Sequence, residues 1–497
     1  MIVEALRVVE ESDPLAPFAG GETFAVHASE VRQGATRLQG EFYGSDGYRA
    51  VQALEESGFD LAGVKTLANT VWPGIFSRNY IQDPHRGVPF LTSSEMLVAN
   101  PEPKYISSVF TPDLESITVH KGTILISRSG TVGKVAVVND QIDGWAVTED
   151  ALRVNPSKPV DLGVLTAFFF SSAGQFLLTR NKSGSVVEHI YAADVEGLPI
   201  PRLPLRLKEK LTALILEAGE LRVEANGLLR EADIGVHNIL GEKILAPRIE
   251  AILPCTFIVG AQTLDTHIGK RSQWRLDASF YESSSRILSE KIQSLRTSIS
   301  IDDIAIEVIR IGKTFIPGVH KVEREYGIPY LTGKELFKIR MNHEIFIGSS
   351  NHTFLSRIAV EKGFVLITSG GTIGRVMYVR GNFEGSAVSE DVLRIVPNGN
   401  IHPGYIYSFL ASSFGQSLIQ RYSYGSVIPR IHRTHIEDIS IPIPDDNGKE
   451  IGQKVDAAFD KRAEALAQEN RAIALFEEAL RRGRERTETD WGREYDA

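Results

Sequence analysis

An internal duplication limits the possible folds of this 497-residue chain more strongly than any other feature of its sequence. Three short motifs recur at a constant offset of 241 positions: Gly130-Thr131-Val132-Gly133-Lys134 and Gly371-Thr372-Ile373-Gly374-Arg375, Glu149-Asp150 and Glu390-Asp391, and Gly184-Ser185-Val186 and Gly425-Ser426-Val427. Solenoid units have about 20–50 residues, so this spacing is too long for a solenoid. The sequence therefore predicts two copies of one whole domain.

Composition agrees with two ordinary globular domains and their connections. The chain is 42% hydrophobic and 24% charged, and it contains one cysteine, Cys255. A single cysteine excludes an internal disulfide framework and suits a reducing compartment. The N-terminal residues lack the basic and apolar regions of a secretory signal, and the apolar stretch 164–178 is too short for a membrane span. We expect a soluble, cytoplasmic protein.

The net charge of −9 argues against a protein that simply coats nucleic acid. A local basic surface remains compatible with this total. In the stretch 421–435, three arginines and two histidines occur among otherwise neutral residues: Arg421, Arg430, Arg433, His432 and His435.

Each copy ends in a proline-containing exit, followed by a long helical pattern. The exits, 198–201 and 441–444, are predicted to be extended linkers because proline does not continue a helix or a strand ladder. Both following helices show apolar residues seven positions apart. The predicted pairing residues are Leu207, Leu211, Leu214, Leu221 and Leu228 in the first helix and Phe459, Leu466, Ile473 and Leu480 in the second.

A line of small residues, Ala218, Ala225 and Ala232, accompanies the leucines of the first helix. Small residues allow a partner helix to approach closely, so the large residues of the second helix are expected to face them. We predict that the two helices form an antiparallel coiled coil. The alternative is that each helix packs on its own β-rich domain.

The predicted fold class is α+β, with two tandem β-rich domains separated by the two long helices. The predicted divisions are an N-terminal arm (1–21), a first domain (22–204), a first spacer helix (205–240), a connector (241–255), a second domain (256–445), a second spacer helix (446–487) and a C-terminal tail (488–497). Inside each domain, a β-hairpin surrounds the glycine-rich turn, and the stretches 164–179 and 405–420 are predicted to be helical.

The glycine-rich turn resembles a phosphate-binding loop only superficially. That loop needs a glycine separated by four residues from its Gly-Lys pair and a Ser or Thr after the lysine, whereas Arg128 and Val135 occupy these positions. A tight hairpin turn that needs glycines with positive φ is the better interpretation. Arg128, Lys134 and Arg375 could still reach a DNA backbone from this turn.

The paired carboxylates Glu149-Asp150 and Glu390-Asp391 invite a nuclease hypothesis, but no further acids occur at a recognisable spacing. Zinc binding is poorly supported because cysteine partners are missing. We therefore predict no catalytic residue, no metal site and no cofactor in this chain.

The segments around the two Gly-Ser-Val motifs are rich in side chains that contact phosphates and base edges. An ordinary polar surface loop is the alternative. The predicted DNA contacts are Arg128, Lys134, Arg180, Lys182, Ser183, Ser185 and His189 in the first copy and Arg375, Arg421, Tyr422, Tyr424, Ser426, Arg430, His432 and Arg433 in the second.

The order of these parts resembles that of the specificity (S) subunits of type I restriction–modification systems. Each copy is entered through an Arg-Leu-x-x-x-Phe-Tyr segment, at 37–43 and 275–281, and continues through Gly-Thr-x-Gly-Lys/Arg, Gly-Ser-Val and the Pro-x-Pro exit. The resemblance covers roughly residues 22–487. The helix starts at 204–208 and 446–449, the arm and the tail depart from the family pattern and leave open a related defence system.

The resemblance implies two target recognition domains, each of which reads one half of a bipartite double-stranded DNA sequence. It further implies that the paired helices set the spacing of the two halves and bind two methyltransferase (M) subunits. S-adenosylmethionine would bind to the methyltransferase, and cleavage would need a restriction (R) subunit. Two other functions remain open on sequence grounds: a protein-interaction scaffold and a stand-alone metal-dependent nuclease.

Overall fold

The computed structural model describes residues 46–130, 132–180, 189–241, 280, 283–295, 297–309, 319–322, 324–340, 345–349, 358–425, 427–443 and 446–492. The predicted arm and connector, the entry segment 37–43 and most of the entry segment 275–281 lie outside these residues.

The first sequence copy forms six described helices and ten strands. The helices are α1 (Asp46–Glu56), α2 (Leu114–Ile117), α3 (Asp161–Phe170), α4 (Ser172–Arg180), α5 (Ala192–Glu196) and the long α6 (Leu205–Gly241). The strands are β1 (Leu61–Gly63), β2 (Ala68–Val71), β3 (Tyr80–Ile81), β4 (Gly87–Leu91), β5 (Lys104–Ser107), β6 (Ile124–Ser127), β7 (Val135–Val137), β8 (Ala146–Val147), β9 (Ala151–Pro156) and β10 (Pro199–Pro201).

The second copy repeats the order of the strands and also ends in a long helix, after which one further helix follows. Its strands are β11 (Ser298–Ser300), β12 (Ala305–Ile309), β13 (Val319–Val322), β14 (Ile328–Leu331), β15 (Phe346–Ser349), β16 (Val365–Thr368), β17 (Val376–Tyr378), β18 (Ala387–Val388), β19 (Val392–Pro397) and β20 (Ser440–Pro442). The helices are α7 (Ser283–Ser294), α8 (Ile301–Ile304), α9 (Pro403–Ala411), α10 (Ser413–Arg421), α11 (Arg433–Glu437), α12 (Asp446–Arg482) and α13 (Arg484–Trp491).

The two copies share one sheet topology, which shows that the duplication is structural as well as sequential. The first copy has sheets of order β2-β9-β6-β7, β3-β5-β4-β8 and β1-β10. The second copy has sheets of order β12-β19-β16-β17, β13-β15-β14-β18 and β11-β20. The sheets that contain β4 and β14 each include one parallel pair of strands, β4 with β8 and β14 with β18. The α+β fold class predicted from the sequence is confirmed.

The chain divides into two compact units that do not follow the order of the sequence. The first unit contains Met1–Met96, Pro103–Glu217 and Gln468–Ala497, and the second contains Leu97–Glu102 and Ala218–Ala467. The short piece Leu97–Glu102 pairs with the second copy. The Ala99 amide donates to the Phe337 carbonyl at 2.9 Å, and the Ile339 amide donates to the Leu97 carbonyl at 2.7 Å.

The core of the first unit lies between the sheet that contains β6 and the helices α3, α4 and α6. Leucines of α6 that the heptad pattern singles out, Leu207, Leu211 and Leu214, are buried there with Phe168 and Phe476. A buried ion pair joins two of these helices, with Lys208 Nζ 3.0 Å from Asp161 Oδ1.

The core of the second unit is built in the same way. Val236 and Leu240 of α6 pack with Val455 and Phe459 of α12 beside the sheet that contains β16. Side chains of the same two helices also form ion pairs, Lys454 with Glu231 and Lys461 with Glu224. As the residue number rises in α12 it falls in α6, so the two helices are antiparallel within this unit.

In the first unit, the side chains of Gln468 and Glu217 meet at 2.9 Å. This contact shows that α6 and α12 also pair within the first unit.

The buried seam of the helices is richer in alanine than the sequence pattern predicts. The second helix has its own alanine line, Ala458, Ala465, Ala472 and Ala479, and all four residues are at most 4% exposed. Leu221, Leu228 and Ile473 are only half-buried. The expected meeting of large residues with small ones therefore describes only part of the seam.

Four local predictions differ from the structure, each for a physical reason. The exits pair as short strands, β10 with β1 and β20 with β11, because proline is compatible with an edge strand. The helices predicted at 164–179 and 405–420 are each broken in two, at Ser171 and Ser412.

The second spacer helix ends at Arg482 instead of 487, because Gly483 adopts a positive φ of 76°. Residues 488–491 of the predicted tail belong to α13, which packs on the first unit. There the Arg484 amide donates to the Ser57 carbonyl at 2.9 Å.

No single helix in the described part of the chain is long and apolar enough to cross a membrane. The pair Asp161–Phe170 and Ser172–Thr179, bent by 71°, meets the criterion by length and composition only.

Candidate nucleic-acid interface

Both copies have the same backbone contacts at one place. There, the residues that follow strand β6 or β16 meet the segment that precedes the proline-containing exit. In the first copy Ser129 bridges His189, and the Ile190 amide donates to the Arg128 carbonyl at 3.1 Å. In the second copy Gly370 bridges Arg430, and the Ile431 amide donates to the Ser369 carbonyl at 3.1 Å.

A third hydrogen bond completes this arrangement and joins it to the Glu-Asp pair. The Arg128 amide donates to the Asp150 carbonyl at 2.7 Å, and the Ser369 amide donates to the Asp391 carbonyl at the same distance. We call residues 128–129, 150 and 189–190, with their equivalents 369–370, 391 and 430–431, the shared frame.

The side chains on the shared frame differ between the copies. Arg128 in the first copy is replaced by Ser369 in the second, and His189 is replaced by Arg430. Each copy thus places one arginine on the frame, but from a different segment of the chain: Arg128 after the hairpin strand in the first copy, and Arg430 before the exit in the second.

Aromatic rings hold Arg128 in the first copy. Its guanidinium carbon lies 4.5 Å from the Trp72 ring centroid and 5.5 Å from the Tyr191 ring centroid. The Trp72 indole N–H donates to the Glu149 carbonyl at 3.0 Å. Trp72 and Tyr191 remain 40% and 51% exposed, so the held guanidinium borders the surface. Such a preorganised arginine is suited to bidentate contacts with guanine or phosphate.

His189 contributes a second polar group to the shared frame. Its Nδ1 atom is buried and has no hydrogen-bond partner among the described residues. A buried ring nitrogen without a partner is uncommon, so His189 has unused hydrogen-bonding capacity on the frame.

The carboxylates of the first copy are engaged by protein groups. Glu149 forms an ion pair with Arg78 at 2.7 Å, and Asp150 accepts a hydrogen bond from the Ser129 hydroxyl at 2.5 Å. Among the described residues, no three His, Cys, Asp or Glu side chains are grouped as a metal site would require. The arrangement gives Glu149 and Asp150 a structural role and offers no support for the nuclease hypothesis.

In the second copy, Asp391 holds the arginine of the shared frame. Arg430 Nη1 lies 3.5 Å from Asp391 Oδ1, and Arg430 also pairs through its backbone with Tyr424. Glu390 accepts a hydrogen bond from the Tyr330 hydroxyl at 3.4 Å. Burial, together with the charge of Glu390, raises the pKa of Tyr330 to about 12.

Two of the predicted DNA contacts have structural roles instead. Tyr422 is 9% exposed and stacks on His435, with ring centroids 5.1 Å apart. The Arg421 Nε donates to the Phe280 carbonyl at 2.8 Å, and its guanidinium lies over the Phe280 ring. We therefore remove Tyr422 and Arg421 from the set of candidate contacts, because these side chains support the loop from below.

The remaining predicted contacts occupy several environments. Tyr424 is 38% exposed, Arg433 is exposed at the start of α11, and His432 caps that helix. Lys134 is half-buried in the hairpin, while Arg375 lies 3.7 Å from the Phe337 ring centroid. Burial lowers the pKa of Arg375. Arg180 ends α4, and its side chain lies outside the described set, as do Lys182, Ser183, Ser185 and Ser426.

The turn of each hairpin needs glycine, as the sequence predicts. Gly130 and Gly133 have φ values of 70° and 82°, and Gly371 and Gly374 have values of 73° and 83°. Glycine adopts this region without steric cost. The structure therefore supports the hairpin interpretation and contains no phosphate-binding loop at this position.

Sequence reasoning missed Trp72, Arg78 and Tyr191, which surround the first shared frame. Trp72 and Arg78 precede the frame by about 50 residues in the chain, so no local pattern connects them to it. Tyr191 could have been found from the sequence, because it lies two residues after His189, which aligns with Arg430 at the offset of 241 positions.

A comparison with models of protein families found a match that covers much of the second copy and part of the long helix after it. Residues 298–474 match the family model for the type I restriction modification DNA specificity domain. A search of curated proteins found no match.

Solved structures give looser likenesses. The S subunit of a type I restriction–modification system from M. genitalium is 12% identical, with 85% of this chain and 95% of that chain covered and a TM-score of 0.31. The HsdS subunit from Thermoanaerobacter tengcongensis is 14% identical, with 85% and 97% covered and a TM-score of 0.27. A chain from a study of complex assembly in the type I R-M system is 15% identical, with 85% and 98% covered and a TM-score of 0.27.

The matched region, residues 298–474, is similar to a DNA specificity domain. Over this part of the chain, the match confirms the resemblance to the specificity subunits of type I restriction–modification systems. This family is the non-catalytic recognition component, and catalysis belongs to its partner subunits.

Proposed function

We propose that this chain is the specificity subunit of a type I-like restriction–modification complex and reads a bipartite DNA target. Each sequence copy, 22–204 and 256–445, would read one half of that target. The helices α6 and α12 would set the gap between the halves and bind two methyltransferase subunits. S-adenosylmethionine would bind to the methyltransferase, and a restriction subunit would supply cleavage.

One observation supports the bipartite target above all others: the shared frame has the same hydrogen bonds in both copies but different side chains. Two half-sites of unequal sequence require different donors and acceptors on an equal scaffold. Arg128 and His189 in the first copy, against Ser369 and Arg430 in the second, meet this requirement.

The antiparallel pairing of α6 and α12 inside each unit supports the spacer role. Ion pairs at Glu231–Lys454 and Glu224–Lys461 recur one heptad apart, which holds one register between the helices. A fixed register would give the complex a fixed gap between the half-sites.

The direct test is to express the chain with the methyltransferase encoded beside it and to map the methylated adenines in the host genome. We expect a split motif with two defined halves and a constant gap. Arg128→Ala should relax the motif in one half only, and Arg430→Ala should relax it in the other half only. An expected discrimination of roughly 1–3 kcal/mol per lost bidentate contact makes either change easy to detect.

The matched control is Arg202→Ala, which removes an exposed arginine of the first copy away from the frame. The motif and its occupancy should remain unchanged in this variant. A single continuous motif, or relaxation of both halves by one substitution, would contradict the assignment of one half-site to each copy. If the chain co-purifies with no methyltransferase and the host genome shows no methylated motif, the result would favour a protein-interaction scaffold.

A further inference from the structure

An exposed apolar loop end lies beside the shared frame of the second copy. Tyr424 and Arg430 close this loop through two backbone hydrogen bonds, of 3.0 and 2.8 Å. At its far end Val427 is 90% exposed and Ile428 is 51% exposed, and the adjoining Pro429 is exposed as well. We call Val427, Ile428 and Pro429 the apolar tip.

The base of this loop is fixed to the domain, so the apolar tip is presented on a firm support. The Gly371 amide donates to the Pro429 carbonyl at 3.2 Å, and the Ile431 amide donates to the Ser369 carbonyl. The Arg430 side chain lies 3.5 Å from Asp391. Gly425, with φ of 98°, allows the chain to turn before the tip.

The duplication indicates that the tip has a role common to both copies. Val427 corresponds to Val186 and Ile428 to Val187 at the same offset of 241 positions, whereas Pro429 corresponds to Glu188, so the common part of the tip is its two aliphatic residues. Burial explains other residues that the copies share, such as Ile190 and Ile431, which are 2% and 0% exposed. Burial does not explain Val427, because its side chain is almost wholly exposed.

The chemistry of the tip limits what this common role can be. Aliphatic side chains cannot donate or accept hydrogen bonds, so the tip cannot read the polar edges of bases. Residues that are alike in both copies also cannot distinguish two different half-sites. An apolar group can act on any base step by entering between two base pairs, and isoleucine and proline are used in this way by DNA-bending proteins.

The surroundings of the tip favour DNA as the partner. The stretch from Arg421 to His435 contains three arginines and no acidic residue, and Arg433 is exposed. Arg421 and Arg430 contact protein groups, so the exposed Arg433 and the absence of acidic residues in this stretch are what suit an anionic backbone with stacked bases inside it.

From this geometry we propose that the apolar tip inserts between two adjacent base pairs of the second half-site and unstacks them. The proposal rests on the proposed function, since it requires that the second copy binds DNA. It adds a distortion of the duplex, at a position that the domain does not read by hydrogen bonds.

The test uses the full chain in complex with its methyltransferase and a duplex that contains the mapped motif. The fluorescent base 2-aminopurine replaces each purine of the second half-site in turn, except the methylated adenine, and its fluorescence rises when it is unstacked. We expect a rise at one step with the native complex. The double variant Val427→Ser with Ile428→Ser should lose this rise and bind about tenfold more weakly.

Arg433→Ala, at the start of helix α11 just after the loop in the chain, is the matched control. It should keep the fluorescence rise but reduce the slope of log affinity against log salt by about 0.9, as expected for one lost phosphate contact. The double variant should keep the native slope, because it removes no charge.

Three results would overturn the proposal. The native complex could bind the motif tightly without any fluorescence rise, or the double variant could behave like the native chain. Loss of methyltransferase from the double variant would make the tip a protein contact. If the complex recognises no duplex at all, the proposed function itself fails, which is a different outcome from intact recognition of an unperturbed duplex.

Discussion

A buried arginine occurs at the same place in each copy, Arg153 in β9 and Arg394 in β19, with exposures of 3% and 0%. Arg153 Nη1 donates to the Thr148 carbonyl at 2.9 Å, and Arg394 Nη2 donates to the Val388 carbonyl at 2.8 Å. Burial lowers the pKa of each to about 10, so both guanidinium groups stay charged at neutral pH. They bind the turn that leads to the Glu-Asp pairs.

The two buried arginines should differ in their contribution to stability. Arg153 donates to four backbone carbonyls and only its Nε lacks a partner among the described residues, whereas both Nε and Nη1 of Arg394 lack one. Arg153→Met should therefore lower the free energy of unfolding by roughly 1–3 kcal/mol or more, because it leaves buried carbonyls unsatisfied. Arg394→Met should cost less, since it also removes an incompletely paired buried charge.

Urea unfolding of both variants, with the exposed Arg202→Met as reference, measures this difference. A larger loss for Arg394→Met than for Arg153→Met would contradict the argument.

Trp72 should act on recognition through Arg128. Trp72→Ala removes the nearer ring of the cation–π contact, whose worth is roughly 0.5–2 kcal/mol, and frees the guanidinium. We expect methylation mapping to show relaxation at one base pair of one half-site.

Trp72→Phe, which keeps a ring, should preserve most of the discrimination. Equal behaviour of the Ala and Phe variants would show that the ring does not position Arg128.

The long helices show what periodicity can and cannot predict. The heptad of Leu207, Leu211 and Leu214 correctly identifies buried positions, because large apolar residues leave a strong periodic signal. The alanine line of α12 was missed, because alanine is also common on exposed helix surfaces. The broken helices at Ser171 and Ser412 escaped prediction for a similar reason: serine caps of this kind occur inside otherwise helical patterns.

The alanine seam should not tolerate larger side chains. Ala472 is fully buried in the core of the first unit, whereas Ala474, two residues later in the same helix, is exposed. Ala472→Leu should lower the free energy of unfolding by about 1–3 kcal/mol through overpacking. Ala474→Leu should change it by less than about 0.5 kcal/mol.

Thermal or urea unfolding of the two variants side by side is the measurement. An equal effect of the two leucines would show that the helix seam can expand freely.

Two ion pairs of the first unit should differ greatly in their contribution to the free energy of unfolding. Lys208 and Asp161 are 7% and 3% exposed at 3.0 Å, whereas Lys121 and Asp140 are 44% and 51% exposed at 2.8 Å. Lys208→Met leaves a buried carboxylate unpaired and should cost about 3–5 kcal/mol. Lys121→Met should cost at most about 1 kcal/mol, because solvent screens the exposed pair.

Denaturant titration distinguishes the two cases. Similar costs would mean that burial does not control the strength of these pairs. The sequence alone could not have paired Asp161 with Lys208, because the two residues are joined only by the packing of α3 on α6.

At the scale of the whole molecule, the first unit combines sequence from two distant parts of the chain. Arg484 of α13 forms an ion pair with Asp60 at 3.2 Å, and Thr487 is 1% exposed. Trp491 packs against the core of the first unit. The duplication was predictable because motifs repeat in order. This sharing was not, because no repeated motif marks α13.

Removal of residues 484–497 should therefore destabilise the first unit selectively. The loss of the α13 contacts should cost roughly 1–3 kcal/mol, while the second unit, which contains none of these residues, should keep its stability. Hydrogen exchange resolved by segment would show faster exchange in 46–96, 103–217 and 468–483 only. Uniform acceleration through both units would contradict this division.

The order of synthesis adds a kinetic consequence to the pairing of Glu217 with Gln468, which are 251 residues apart. On the ribosome, the first unit must wait until its second helical piece has been translated, about 10–50 s later at roughly 5–20 residues per second. The second unit, whose sequence apart from Leu97–Glu102 lies between those two residues, can finish first. During this interval the leucine stripe at Leu207, Leu211 and Leu214 lacks its α12 partner, so the nascent chain should be a chaperone client.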